Sequence, residues 1–349
     1  MKHLKKILFF AFLAFVLMAC DNETPSGGGN AAVGESVYYV LNSGDWKSNN
    51  SSLTKFDMET GEVVDDCFFL KNNRGLGNTA NDIIVYGSKM YIAVAGESTI
   101  EVADLEAKSI KQIKCEGQPR YLAATGGNVY VTYYDGYVAR IDTASLDVDA
   151  KAKVGRNPEG IAIAGDKLYV ANSGGMDYST EVGYDKTVSV VDLNTFTEVK
   201  KIDVVVNPST VVAVENGVFV ASYGNYYDIP GTLQFINTKD EVSVPVACQN
   251  MTEFCNLNGT LYGFYSQYDE NWNAAITYLS YNIASGEVDS PWIKENELPV
   301  PYKVCVTDEY ICVTVSDYIN DGDVYFYDAD GVLVKKNAAG LNPIKVVKR

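Results

Sequence analysis

Short apolar segments recur along the chain, each closed by a polar turn. Between Pro158 and Val204 they read PEGIAIAG, DKLYVANS, KTVSVVDL and EVKKIDV. All four are rich in β-branched and aromatic residues at a period of two, with Gly, Asn and Asp between them. That pattern predicts four strands, named a to d from the inside outward. The same phrase returns seven times, its second strand marked by Tyr39, Tyr91, Tyr130, Tyr169, Phe219, Tyr262 and Tyr310. A second marker, the residue closing the third strand, keeps step at Asp57, Asp104, Asp142, Asp192, Asn237, Asn282 and Asp328. One four-stranded sheet cannot bury both its faces, whereas sheets packed in a circle can, leaving only short outer edges. The expected architecture is all-β: a seven-bladed β-propeller of four-stranded antiparallel blades.

The ends of the repeat array indicate how the ring closes. The first copy begins at Val37 with strand b and has no strand a before it. The chain ends in NPIKVVKR, which matches the start of a strand a and has no strand b after it. The C-terminal strand is therefore expected to pair in the first blade, making residues 37–349 one propeller domain.

Ahead of it, Lys2, Lys5 and Lys6 precede an apolar run from Ile7 to Met18 that is too short for a bilayer anchor. Leu17-Met18-Ala19-Cys20 resembles a bacterial lipobox, so residues 1–19 read as a lipoprotein signal peptide and Cys20 as the lipidation site. Residues 20–36 carry acidic Asp21 and Glu23 and are then Gly-, Ser- and Asn-rich, which suits a flexible tether. Attachment to the outer membrane through the lipid alone, facing the cell surface, is the expected location.

The formal charge is −17, and loss of residues 1–19 would leave 25 basic against 45 acidic side chains. So acidic a surface argues against nucleic acid as a partner. The one histidine, His3, lies in the signal peptide, so a Ser-His-Asp triad and histidine-ligated zinc are both out of reach of the processed chain. No Cys-x-x-Cys occurs. Cys305 and Cys312 face each other across one hairpin, which allows either a strained cross-strand disulfide or two buried thiols.

In an up-and-down blade the a–b and c–d connections lie on one rim of the ring, and the b–c and d–a connections on the other. The first rim carries tight turns such as Gly126-Gly127 and Gly165-Asp166. The second carries the long segments: 42–52, 172–187, 222–232, 266–277 and 316–323 between strands b and c, with 71–82, 117–120 and 155–159 between blades. Tyr, Trp, Asn, Ser and Gly dominate them, and Arg74, Arg120 and Arg156 fall there too. Rigid aromatics beside adaptable amides and hydroxyls make this rim the expected binding surface.

Candidate catalysis is thin. Pro119, Pro158, Pro208, Pro301 and Pro343 each precede or open a strand a and serve as strand punctuation. The recurring Asp/Asn residues read as turn caps. DYINDGD, residues 317–323, resembles a calcium loop but puts Ile319 where a ligand is needed, so no metal site is assigned. Asp45, Asp177, Asp228 and Asp269 could form a glycosidase-like pair only without any spacing rule to join them. The chain is expected not to be an enzyme and to carry no catalytic cofactor.

Four phrases carry a family resemblance: YVLNSGDWKSNNSSLTKFD, NRGLGNTANDI, QPRYLAATGGNVYVT and VGRNPEGIAIAGDKLYVANSG. From Tyr39 to the C-terminus the chain resembles the YncE-like seven-bladed propellers of Bacteroidetes surface lipoproteins, and among them those that capture vitamin B12. The resemblance implies cobalamin or a related corrinoid as transported ligand, and an outer-membrane TonB-dependent transporter as partner. A flat, amide-fringed macrocycle would be met by aromatic faces and amides, and its phosphate by an arginine. The ligand-binding candidates on that basis are Trp46, Asn49, Asn50, Arg74, Arg120, Tyr133, Tyr134, Arg156, Asn172, Tyr226 and Trp272. A glycan-binding lipoprotein would want the same residue types, and a protein-interaction scaffold is a third possibility.

Overall fold

The computed structural model describes residues 36–248, 250–268, 274–297 and 299–349. They form seven four-stranded antiparallel sheets. Blades two to seven each take four consecutive strands, from Ala80–Tyr86 in blade two to Leu333–Leu341 in blade seven. Blade one combines Val37–Asn42, Ser52–Asp57 and Val63–Val64 with the C-terminal strand Pro343–Lys348, which pairs Val40 with Val346. The a strands follow one another around the axis, and the C-terminal strand touches those of blades seven and two. The closure expected from the two ends of the repeat is the one observed.

Packing explains why strand b reads as an unbroken apolar run. All six residues of Val37–Asn42 are buried. Neighbouring side chains point to opposite faces of a strand, so Val37, Tyr39 and Leu41 pack toward blade two while Tyr38 and Val40 pack toward blade seven. The core is accordingly divided into seven clusters, one at each junction between blades. Outer strands are different: Thr197–Asp203 buries little but Ile202.

Both repeat markers have a physical role. In two blades the strand b tyrosine also fastens its blade to the next, as Tyr39 donates to the Leu105 carbonyl and Tyr262 to that of Ala329, each at 2.8 Å. In blade seven the register corrects the sequence reading. Cys312, two residues after Tyr310, sits opposite Phe326, the position that pairs with the marker in the other blades. Both Cys312 and Cys305 are free thiols, placed directly opposite each other. The strand c Asp or Asn caps the following turn in every blade. Asp192 Oδ1, for example, accepts from the N–H groups of Asn194 and Thr195 at 2.9 and 2.7 Å.

One element was not foreseen. A short helix, Cys67–Asn72, follows the two-residue outer strand of blade one and buries Cys67 and Phe68 at the junction with blade two. Asp66 caps its start by accepting from the Phe69 N–H. Residues 1–35, which include the expected signal peptide, lipidation site Cys20 and most of the expected tether, lie outside the described residues, as does Trp272.

Candidate functional site

Every exposed Trp or Tyr among the described residues lies in a b–c loop of the long-loop rim: Trp46, Tyr178, Tyr226, Tyr227 and Tyr318. Trp46 is 73% exposed and Tyr227 93%. A shared device turns them outward. In 43–51, Asp45 accepts from the Lys47 and Ser48 N–H groups, and Asn50 accepts from that of Asp45. In 223–231, Asn225 Oδ1 accepts from the N–H groups of Tyr227, Asp228 and Ile229. In 316–320, Asp317 accepts from Ile319 and Asn320, and these donors lower its pKa to about 2. Each loop thus satisfies its own backbone, and the side chains beside the cap are left to solvent.

Inside this fringe, charged side chains near the starts of the a strands pair between neighbouring blades. Lys345 of blade one meets Asp82 of blade two at 2.5 Å. Arg120 of blade three holds Glu159 of blade four through two hydrogen bonds, at 2.9 and 3.1 Å. Lys303 of blade seven meets Glu253 of blade six at 2.6 Å. Burial opposes the positive charge on Arg120 and Lys303, but Glu159 and Glu253 outweigh it and raise both pKa values. Blade five offers only Ser209 and Thr210 here.

Next to that gap a hollow of about 220 Å³ opens on the rim, walled by Tyr134, Tyr184, Tyr223 and Tyr226, with Glu159 and Ser209 among its lining. Tyr134 donates to Glu159 at 2.9 Å, and Tyr223 donates to Glu253. Burial first, and the adjoining carboxylates second, push both phenols above the ordinary tyrosine pKa, so they remain donors. Tyr226 stacks near-parallel on Tyr223 and meets Tyr184 edge-on. A larger hollow of about 470 Å³ lies at the outer edge of blade six, beside Val288 and Asp289, and is simply the flank left open by a two-residue outer strand.

The candidates from sequence divide accordingly. Trp46, Asn49 and Asn50 stand exposed on the rim, and Tyr134 and Tyr226 line the hollow. Arg120 lies just beneath, its guanidinium 4.6 Å from the Tyr134 ring centre and committed to Glu159. Arg156 is spent on Asp177 and the Gly183 carbonyl, holding the loop 173–186 together. Arg74 clamps the fully buried Glu101 of blade two with two 2.8 Å hydrogen bonds. Tyr133 and Asn172 must be corrected. Tyr133 points into the junction of blades two and three and is 1% exposed. Asn172 is fully buried and ties strand b to strand c through Thr187 and Ser189, as Asn42 does through Ser52 and Thr54 in blade one. Each closes a strand, and neither reaches the loop beyond it.

Glu159, Tyr184, Ser209, Tyr223, Glu253 and Lys303 were not singled out from sequence. A signal for two of them existed: Glu159 and Ser209, like Arg120, each follow the proline that opens strand a. A charged residue there has no core reason to be polar. Among the candidate carboxylates, Asp45 caps a turn, Asp177 pairs with Arg156 and Asp228 accepts from Asn225; Asp269 lies outside the described residues. No group of three or more His, Cys, Asp or Glu is placed to hold a metal among the described residues.

No protein family and no curated protein matches the chain. Solved structures do. A protein described as a putative 6-phosphogluconolactonase from Bacteroides uniformis superposes with a TM-score of 0.62 at 12% identity, over 89% of this chain and 98% of its own. Hydrazine synthase of Kuenenia stuttgartiensis gives 0.60 at 18% identity, over 74% and 85%. The computationally designed protein Ika8 gives 0.53 at 11% identity, over 76% and 88%. At these identities the likeness is one of fold alone.

Proposed function

We propose that the long-loop rim is a capture surface for a small molecule, and that the molecule is cobalamin or a related corrinoid. The observation that carries this reading is the segregation of exposed Trp and Tyr onto one rim, on loops that satisfy their own backbones. The backbones that carry these side chains are hydrogen-bonded before a ligand arrives, so less loop ordering opposes binding. The hollow between blades four and five is too small for a corrin ring, which would lie across the rim above it. Together with the YncE-like phrases, this favours a YncE-like, vitamin B12-binding surface lipoprotein. Anchored through Cys20 in the outer membrane, it would pass its cargo to a TonB-dependent transporter. The function is capture rather than catalysis, because Glu159 and Glu253 are tied to cations and phenols and are poor candidates for acid–base work.

Calorimetric titration with cyanocobalamin tests the ligand: saturable binding at micromolar protein is expected, and no heat at that concentration would remove the corrinoid. The glycan reading draws on the same hollow, whose tyrosine faces and Ser209 would suit a sugar. Retention on a polysaccharide gel without any cobalamin binding would put it first.

A further inference from the structure

In blades one to six the aromatic marker of strand b faces, on strand a, Val347, Ile84, Ala123, Ala162, Val212 and Cys255 in turn. In blade seven the aromatic ring is replaced by Cys312, and the residue facing it is Cys305. Tyr38, Phe56 and Phe326 fill the space beside them, their ring centres 5.0 to 5.8 Å apart. Both thiols lie in the junction of blades seven and one, Cys305 9% exposed and Cys312 fully buried. Facing residues of an antiparallel pair have Cα atoms about 4.5 to 5.5 Å apart, within the span of a disulfide. From this pairing we propose that Cys305 and Cys312 are a redox-active dithiol, closed by a hydroperoxide into a cross-strand disulfide at the seam of the ring.

The two thiols are not alike. The neighbouring Cys312 thiol lowers the Cys305 pKa against the opposing effect of burial, and the Val346 N–H, 3.3 Å from Cys305 Sγ, and Lys345 support it. Burial raises that of Cys312. Cys305 is therefore the attacking sulfur. Its thiolate takes one oxygen of the peroxide: an S–O bond forms, the O–O bond breaks, and the departing hydroxide becomes water with the proton that Cys305 released. The Cys312 sulfur then attacks that of Cys305. The S–S bond forms, the S–O bond breaks, and a second hydroxide leaves as water with the Cys312 proton. The two sulfurs together lose two electrons and the peroxide gains them. Cys255 provides the contrast: it faces Tyr262, packs in the junction of blades six and seven, and has no thiol opposite it. The C-terminal strand that completes blade one lies against both strands of the Cys305–Cys312 hairpin, so the disulfide would fix the wall on which the ring closes.

Folded protein treated with millimolar hydrogen peroxide should lose two alkylatable thiols and two hydrogens in mass. Cleavage at Glu309, between the two cysteines, should leave them in one linked peptide pair that dithiothreitol separates. The urea midpoint should be higher for the oxidised protein than for the reduced one. Cys312→Ser should form no link and yield a dimedone-trapped sulfenic acid at Cys305, whereas Cys305→Ser should yield none at Cys312. Circular dichroism melts would confirm that both variants fold. A link through Cys255, trapping at Cys312 instead of Cys305, no loss of thiols from the folded protein, or a midpoint that fails to rise on oxidation would each overturn the assignment.

Discussion

On the turn rim, seven Asp or Asn side chains at equivalent positions each hold a turn, and the aromatic residues beneath them are buried. On the loop rim, Asp45, Asn225 and Asp317 perform the same chemistry on loops of unequal length, and the neighbouring aromatics face solvent. One rim is repeated in every blade; the other differs from blade to blade. The comparison shows where the repeat is under structural constraint and where it is released. A position filled alike in all seven copies serves the ring, as the Asp or Asn that closes strand c does. The b–c loops, which break the pattern, are where aromatic side chains reach solvent.

The comparison can be broken at several strengths. Deleting residues 344–349 removes the inner strand of blade one and opens the ring; a melting temperature lower by at least about 10 °C is expected in a calorimetric scan. Glu159→Ala leaves Arg120 without its carboxylate in a mostly buried setting and should cost about 3 kcal/mol in urea unfolding, with much of it regained when Arg120 is also made Met.

Asp192→Ala removes two backbone acceptor bonds and should lower the melting temperature by a few degrees at neutral pH. The Thr195 and Asn194 donors depress the Asp192 pKa in the folded protein. Its contribution is therefore present above the unfolded value of about 4 and lost as pH falls through the folded one. The gap between wild type and variant should close in acid. Trp46→Ala, at the opposite extreme, should leave urea stability within about 0.5 kcal/mol and weaken ligand binding alone.

The fold was largely legible because two independent markers, an aromatic in strand b and an Asp or Asn at the end of strand c, kept the same step through the chain. Even the closing strand could be placed, since its sequence repeats an inner-strand entry. Blade seven misled by two residues because Tyr310 and Cys312 both lie in the hairpin and only pairing distinguishes them. The short helix after blade one was missed because its apolar face is a single turn, Cys67 and Phe68.

The site was less legible. Loop membership located Trp46, Tyr134 and Tyr226 on the rim, but it could not separate a strand's last residue from the loop that follows. Tyr133 and Asn172 failed on that boundary. Nor could it reveal that Arg74 and Arg156 are occupied by Glu101 and Asp177, which lie 27 and 21 residues away in the chain. Such pairs join residues well separated in the chain, and no local pattern announces them.

Hydrogen–deuterium exchange with and without cyanocobalamin puts the central claim, that ligand capture belongs to the long-loop rim, to the most direct test. Protection is expected in 43–51, 173–186, 223–231 and 316–320, with the turns after Asp57, Asp142 and Asp192 unchanged. Protection at those turns, or none at the loops while cobalamin is bound, would contradict it.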